Sequence, residues 1–203
     1  MVDKYSFIKE MTDGKCDEYQ MWYHDIQKTD IDTKQLKQRR VYIQKVEDAQ
    51  YLFQYLEVEP GMDIRTVLKY DPFRDWLPMK HVYEFKKPKS ETVSAMQSCG
   101  LIIGVRDGKL DEYVRLHDTQ PQIIRDLCYQ NGFRKSSIFE TKLGNGHIYL
   151  LQYNEYLGTE NPELYKNSVY QEWLRITGEC QKPLPGEKFW KSMQEVYKYT
   201  EGT

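Results

Sequence analysis

The stretch Asp107-Gly108-Lys109-Leu110-Asp111-Glu112-Tyr113 occurs nearly twice in this chain. Ninety-four residues earlier the sequence reads Asp13-Gly14-Lys15-Cys16-Asp17-Glu18-Tyr19, identical at six of the seven positions. An apolar strand-like run precedes each copy, Ser6-Phe7-Ile8 in one and Leu101-Ile102-Ile103 in the other. A repeat spaced by about half of the 203 residues constrains the fold strongly, because both halves must follow one plan. Three further points agree in the same order. Leu52-Phe53-Gln54-Tyr55-Leu56-Glu57 parallels Leu150-Leu151-Gln152-Tyr153-Asn154-Glu155, Asp75-Trp76-Leu77 parallels Glu172-Trp173-Leu174, and Met79 with Val82-Tyr83 parallels Met193 with Val196-Tyr197. The offset drifts from 94 to 98 and finally to 114, as insertions in loops require.

Each half reads as strand, helix, two strands, helix, strand. In the first, Tyr5–Met11 is a strand and Asp13-Gly14 a turn signal. A helix starts near Cys16, with Asp17 and Glu18 where the macrodipole favours negative charge, and is expected to reach Gln38. Arg40–Val46 and Tyr51–Val58 read as a hairpin around Glu47-Asp48-Ala49. Asp63 can cap a helix over Ile64–Tyr70, and Met79–Phe85 is the last strand. The polar run Lys86–Ser98, with Pro88 and Ser90, reads as the linker. In the second half Leu101–Val105 is a strand and Leu110–Gln130 is helical, divided at Pro121, which cannot donate an interior hydrogen bond. Ser136–Thr141 and His147–Tyr156 form a hairpin, a helix follows near Pro162–Gly178, and Met193–Tyr199 is the final strand. Cys180–Lys188 is a loop that the first half lacks.

The expected architecture is α+β. Two tandem ferredoxin-like (βαββαβ) units, residues 1–87 and 99–203 around a linker at 88–98, would form an intramolecular dimeric α+β barrel. Each four-stranded sheet carries helices on one face only, so two sheets in tandem would cover each other's bare faces. A self-contained pseudo-dimeric monomer or a homodimer follows from this plan.

Composition removes several classes of function. Net charge is −2 and the pI about 6.1, so no basic field recruits nucleic acid or an anionic membrane surface. No stretch approaches the length of apolar sequence that spans a bilayer, and the first residues lack a signal peptide's apolar run, so a cytoplasmic location is expected. The four cysteines Cys16, Cys99, Cys128 and Cys180 form no CxxC pair and have no histidine cluster near them, so no metal site is expected. Lys34, Lys37, Arg39 and Arg40 read as a solvated helix end.

Tyr113 and His117 stand four residues apart, which places them on one helix face. An imidazole exchanges protons near neutrality, and a phenol beside it donates a hydrogen bond or relays a proton. Glu112-Tyr113-Val114-Arg115-Leu116-His117-Asp118, then Pro121, Gly132, Ser136-Ser137-Ile138-Phe139 and Gln171-Glu172-Trp173-Leu174, resembles the L-rhamnose mutarotase family. The resemblance covers about 100 residues of the second half and, more faintly, the first. It implies a dimeric-barrel protein that interconverts the anomers of a free aldose without metal or cofactor. By position it implies His117 as the proton-transfer residue and Tyr113 as its partner. Trp173 would lie against the pyranose ring, with Tyr153 as a further substrate-binding residue. Tyr19 and Trp76 are the first-half counterparts. Trp190 can also line a site from the second-half loop.

Three positions depart from the family pattern. Leu174 and Gln120 replace expected tryptophans, and Tyr23 stands where His117 stands in the second half, with His24 one residue beyond. The first half is therefore expected to have lost the site, and the second to keep a modified one. Two other functions fit the same sequence: a non-catalytic relative that binds a carbohydrate or a protein partner, and another dimeric-barrel enzyme of monooxygenase type.

Overall fold

A computed structural model describes residues 2–11, 18, 21, 35–68, 75–86, 96–158 and 162–201. The chain divides into two compact units, Met1–Lys80 with Met193–Thr203, and His81–Ser192.

The first unit is built on β1 (Asp3–Met11), β2 (Leu36–Val46) and β3 (Ala49–Val58), which pair antiparallel with β3 in the middle. Successive side chains alternate between faces. The row Phe7–Gln54–Val41 crosses the three strands in register, so these residues share a face. Phe7, Val41, Ile43, Leu52 and Leu56 form a buried cluster with Val67 of the short helix α1 (Ile64–Leu68). Asp63 precedes that helix as expected, and its Oδ1 accepts a hydrogen bond from the Arg65 backbone N–H. Two edge strands complete the sheet. β4 (Leu77–Pro78) lies beside β1, and β11 (Gln194–Thr200) lies beside β2.

The second unit repeats this order with β6 (Met96–Val105), β7 (Phe133–Lys142) and β8 (Ile148–Leu157), β8 being central. Its helices are α2 (Leu110–Asp118), α3 (Gln122–Gln130) and α4 (Ser168–Gly178). Pro121 separates α2 from α3 as the sequence demands. Asn167 caps α4 by accepting from the backbone N–H groups of Val169 and Tyr170. The edges are β5 (Lys80–Lys86) beside β7, and β10 (Lys191–Ser192) with β9 (Gln181–Lys182) beside β6. Both units are ferredoxin-like, as expected.

Five local expectations change. The final strand of each half does not stay in its own sheet. It breaks at a buried methionine, Met79 or Met193, between β4 and β5 in one case and between β10 and β11 in the other. The longer piece then satisfies its backbone on the edge of the sheet built from the other half of the sequence. Leu36–Gln38, expected to end a helix, begin β2; the rest of that expected helix lies almost wholly outside the described residues. Arg39, read as solvated, is buried, with its guanidinium 5.8 Å from the centroid of the Tyr197 ring. Its register position beside Leu56 places its long stem on the apolar face. Met96–Ser98, assigned to the linker, are the first residues of β6 because they pair with Glu155–Leu157. Within the expected Cys180–Lys188 loop, Gln181 and Lys182 pair with β6.

Candidate functional site

α2 opens with Asp111 and Glu112 in its first turn and buries a single stripe, Tyr113 and His117. The two rings lie 4.2 Å apart between centroids and are tilted by 34°. His117 Nδ1 is 3.0 Å from the Tyr113 carbonyl oxygen. A carbonyl oxygen only accepts, so Nδ1 carries the hydrogen and Nε2 holds the free lone pair. Two more rings meet the imidazole edge-on: Trp173 of α4 at 5.2 Å and Tyr83 of β5 at 5.0 Å. Burial lowers the His117 pKa from 6.5 to about 4, against the opposing pull of the Tyr113 carbonyl and Asp118. The imidazole is therefore neutral at pH 7. Burial also pushes the Tyr113 phenol well above its ordinary value, the Gln181 side chain opposing, and raises Tyr83 to about 12. Both phenols remain protonated donors throughout the physiological range.

Above this helix stripe lies a cavity of about 410 Å³, lined in part by Tyr113, His117 and Trp173. Its sheet side is the row Leu101–Gln152–Ile138 with Asn154. Gln152 and Asn154 face the helices because they share the parity of Leu150, which packs in the cluster around Tyr113 and Ile138. Gln152 Nε2 donates to Ser136 Oγ at 2.8 Å, which orients the amide. α4 presents Tyr170, Trp173, Leu174 and Thr177 at the i, i+3, i+4, i+7 spacing of one helix face. The segment after α4 adds Gln181, Phe189, Trp190 and Ser192. No described residue lining the cavity is an aspartate, glutamate, lysine or arginine. Among the described residues, no three His, Cys, Asp or Glu side chains are grouped to share a metal ion. No helix among them is long and apolar enough to cross a membrane. Chemically, the described lining offers one imidazole, three phenols, three amides and two indoles.

Of the residues singled out from sequence, His117, Tyr113, Trp173 and Trp190 meet at this cavity. Tyr153 does not. It pairs in register with Gly100 and Ser137, on the opposite face of the sheet from Gln152, and its hydroxyl donates to Glu155 Oε1 at 2.7 Å. A one-residue step along a strand reverses the side chain, so Gln152 and Asn154, and not Tyr153, line the cavity. Trp76 belongs to the first unit, where it packs in the buried cluster with Phe7 and Leu52. Tyr19 lies outside the described residues. Tyr83 was not singled out as a site residue. Its parallel with Tyr197 is visible in the sequence, but its approach to His117 depends on the strand exchange, which leaves no local mark. Gln152 and Asn154 could have been found from their parity with Ile148 and Leu150.

No curated protein matches the sequence. Among solved structures, a protein provisionally designated a monooxygenase, from Fusobacterium nucleatum subsp. nucleatum, is similar with a TM-score of 0.52 at 8% identity, covering 98% of this chain and 94% of its own. An anthrone oxidase-like protein gives 0.49 at 10% identity, covering 99% and 95%. A protein from Lactobacillus acidophilus NCFM, also provisionally a monooxygenase, gives 0.48 at 13%, covering 98% and 97%. At such identities the likeness concerns the fold alone. The sequence itself is more specific. The model of the L-rhamnose mutarotase family matches residues 98–199, half of the chain, and that span contains Tyr113, His117, Trp173 and every described residue that lines the cavity. The chain belongs to the L-rhamnose mutarotase family.

Proposed function

We propose that this protein interconverts the anomers of a free aldose, with His117 moving the proton and Tyr113 supplying a hydrogen bond. The observation that carries the reading is the imidazole itself. It is neutral, its Nδ1 is tied to a backbone carbonyl, and it lies in a cavity whose described lining residues bear no charge. Only Nε2 can then exchange a proton with a ligand. That nitrogen takes the proton of the anomeric hydroxyl as the bond between C1 and the ring oxygen breaks. The imidazolium so formed, a strong acid in this buried setting, delivers the proton to the former ring oxygen, giving the open aldehyde and a hydroxyl. Rotation about C1–C2 presents the other carbonyl face, and the steps reverse. Atoms and charge balance without a further reactant. The Tyr113 phenol donates to the oxygen that carries developing negative charge. Gln152 and Asn154 hold hydroxyl groups, and Trp173 offers an apolar surface to the pyranose.

Exchange between anomers of L-rhamnose, L-fucose and related aldoses is read directly by saturation-transfer NMR. The wild-type protein should accelerate exchange for at least one neutral aldose, and His117→Ala should abolish the acceleration. Equal exchange in the variant would remove His117 from the mechanism.

A further inference from the structure

The cavity, about 410 Å³, is larger than one sugar ring needs, and its exposed part is aromatic whereas its buried part holds the imidazole. Its inner end is closed: Tyr113 is 1% exposed and His117 is 5% exposed. At the outer end, Tyr165 is 41% exposed and Phe189 is 71% exposed, yet both line the same cavity. A hexopyranose displaces roughly 180 Å³, about six times the ~30 Å³ share of a water molecule in the liquid. The cavity of about 410 Å³ therefore holds one ring against His117 and leaves room for a second. Large apolar side chains held open to water beside a cavity call for an occupant. Here they are accompanied by the exposed Ser192, so the outer part pairs aromatic faces with a hydroxyl group.

We propose that the outer part of the cavity is a binding site for a second neutral sugar ring, and that the substrate is a reducing disaccharide or the reducing end of a longer oligosaccharide. The inference rests on the mutarotase reading for its inner ring. Three observations select this occupant. An apolar group attached at C1 would make an acetal, which cannot open, so whatever fills the outer part must be joined through another hydroxyl. A charged substituent such as a phosphate would meet no opposite charge among the described lining residues. A sugar ring has an apolar C–H face, which suits the negative face of an aromatic ring, and equatorial hydroxyls, which suit Ser192. Phe189 lies in the segment between β9 and β10, the part of the second half that lengthens the repeat offset to 114, so the outer part is built largely from sequence that the first half lacks.

The test compares unbranched reducing disaccharides of several linkages with their own reducing-end monosaccharides, using L-rhamnose, L-fucose, D-glucose and D-galactose at the reducing end. Two quantities are measured: the anomer-exchange kcat/KM, and saturation-transfer difference signals from each ring. The expected result is that at least one disaccharide exceeds its monosaccharide in kcat/KM by about tenfold, the ratio that one aromatic contact supplies. Its non-reducing ring should receive saturation, and Phe189→Ala should collapse the ratio toward one. Exchange on monosaccharides with no preference for any disaccharide, or saturation confined to the reducing ring, would overturn the proposal and leave the mutarotase reading standing. If no sugar exchanges but both rings of a disaccharide receive saturation, the two-ring site stands and the catalytic reading fails. If no ring receives saturation, both fail. Phe189 is largely exposed, so its replacement leaves the fold intact.

Discussion

The two units share a frame and differ in what they place beneath their helices. Both sheets carry the same tyrosine–carboxylate pair on the far face: Tyr55 donates to Glu57 at 2.5 Å, and Tyr153 donates to Glu155 at 2.7 Å. On the helix side the strand rows diverge. Where the second unit has Leu101–Gln152–Ile138, the first has Phe7–Gln54–Val41; where the second has Cys99–Asn154–Ser136, the first has Tyr5–Leu56–Arg39. Leu56 is fully buried in an apolar cluster, whereas Asn154 lines a cavity. Trp76 is a core residue, and Trp173 meets both the core and the cavity. The exchanged tyrosines differ too: Tyr83 stands against His117, and Tyr197 lies beneath Arg39. Among the described residues, one strand plan thus carries an apolar cluster in the first unit and an uncharged cavity in the second, with different residues at equivalent positions.

The largest expected effect breaks the comparison at its chemical centre. His117→Ala should lower anomer exchange by roughly 10²–10⁴-fold, the usual contribution of a positioned acid–base group. Trp76→Phe in the first unit should leave kcat unchanged while lowering Tm. NMR exchange and thermal melts read the two results.

Next come reciprocal substitutions at the Leu56/Asn154 position. Leu56→Asn removes buried apolar volume and adds an amide, and should destabilise the protein by roughly 3–5 kcal/mol in urea unfolding. Asn154→Leu should change stability by less than about 1.5 kcal/mol while weakening sugar binding. Equal losses of stability would mean that the cavity is packed as tightly as the first unit's core.

The pH dependence follows from the His117 shift. Its folded pKa is lowered from 6.5 to about 4, so the unfolded chain binds this proton at a higher pH than the folded one. Stability from this group is complete above about pH 6.5 and falls as pH drops toward 4, by at most roughly 3 kcal/mol. Exchange activity should be level from pH 8 to about 5 and decline only as the imidazole protonates. An activity midpoint near 6.5 would show an imidazole open to water. His117→Gln should remove this part of the acid destabilisation.

The smallest effect concerns Gln54. It is fully buried, and its amide atoms have no hydrogen-bond partner among the described residues, whereas the equivalent Gln152 donates to Ser136. Gln54→Met should be neutral or stabilising by about 1 kcal/mol, and Gln152→Met should cost sugar affinity.

The three central strands of each unit, the split at Pro121 and the Tyr113–His117 stripe were legible in the sequence, because period, proline and spacing are local signals. The facing of β8 was harder to read. Leu-Leu-Gln-Tyr-Asn-Glu carries large or polar side chains at both parities, so alternation alone does not say which set meets the helices, and Tyr153 was assigned to the wrong side. Arg39 looked like surface because four basic residues lie together, yet strand alternation turns Arg39 inward while Lys37 and Arg40 stay partly exposed. Tyr83 was beyond local reasoning altogether, since it arrives from the other half of the repeat.

That arrival has a bearing on how the molecule can be handled. A fragment cut after the first repeat would carry β5 with no sheet to receive it and would leave the long edge of β2 bare. The reciprocal fragment would have the mirrored fault. Such pieces are primed to borrow strands from one another, so separate expression of the halves should yield aggregates or interlocked pairs in place of two tidy modules.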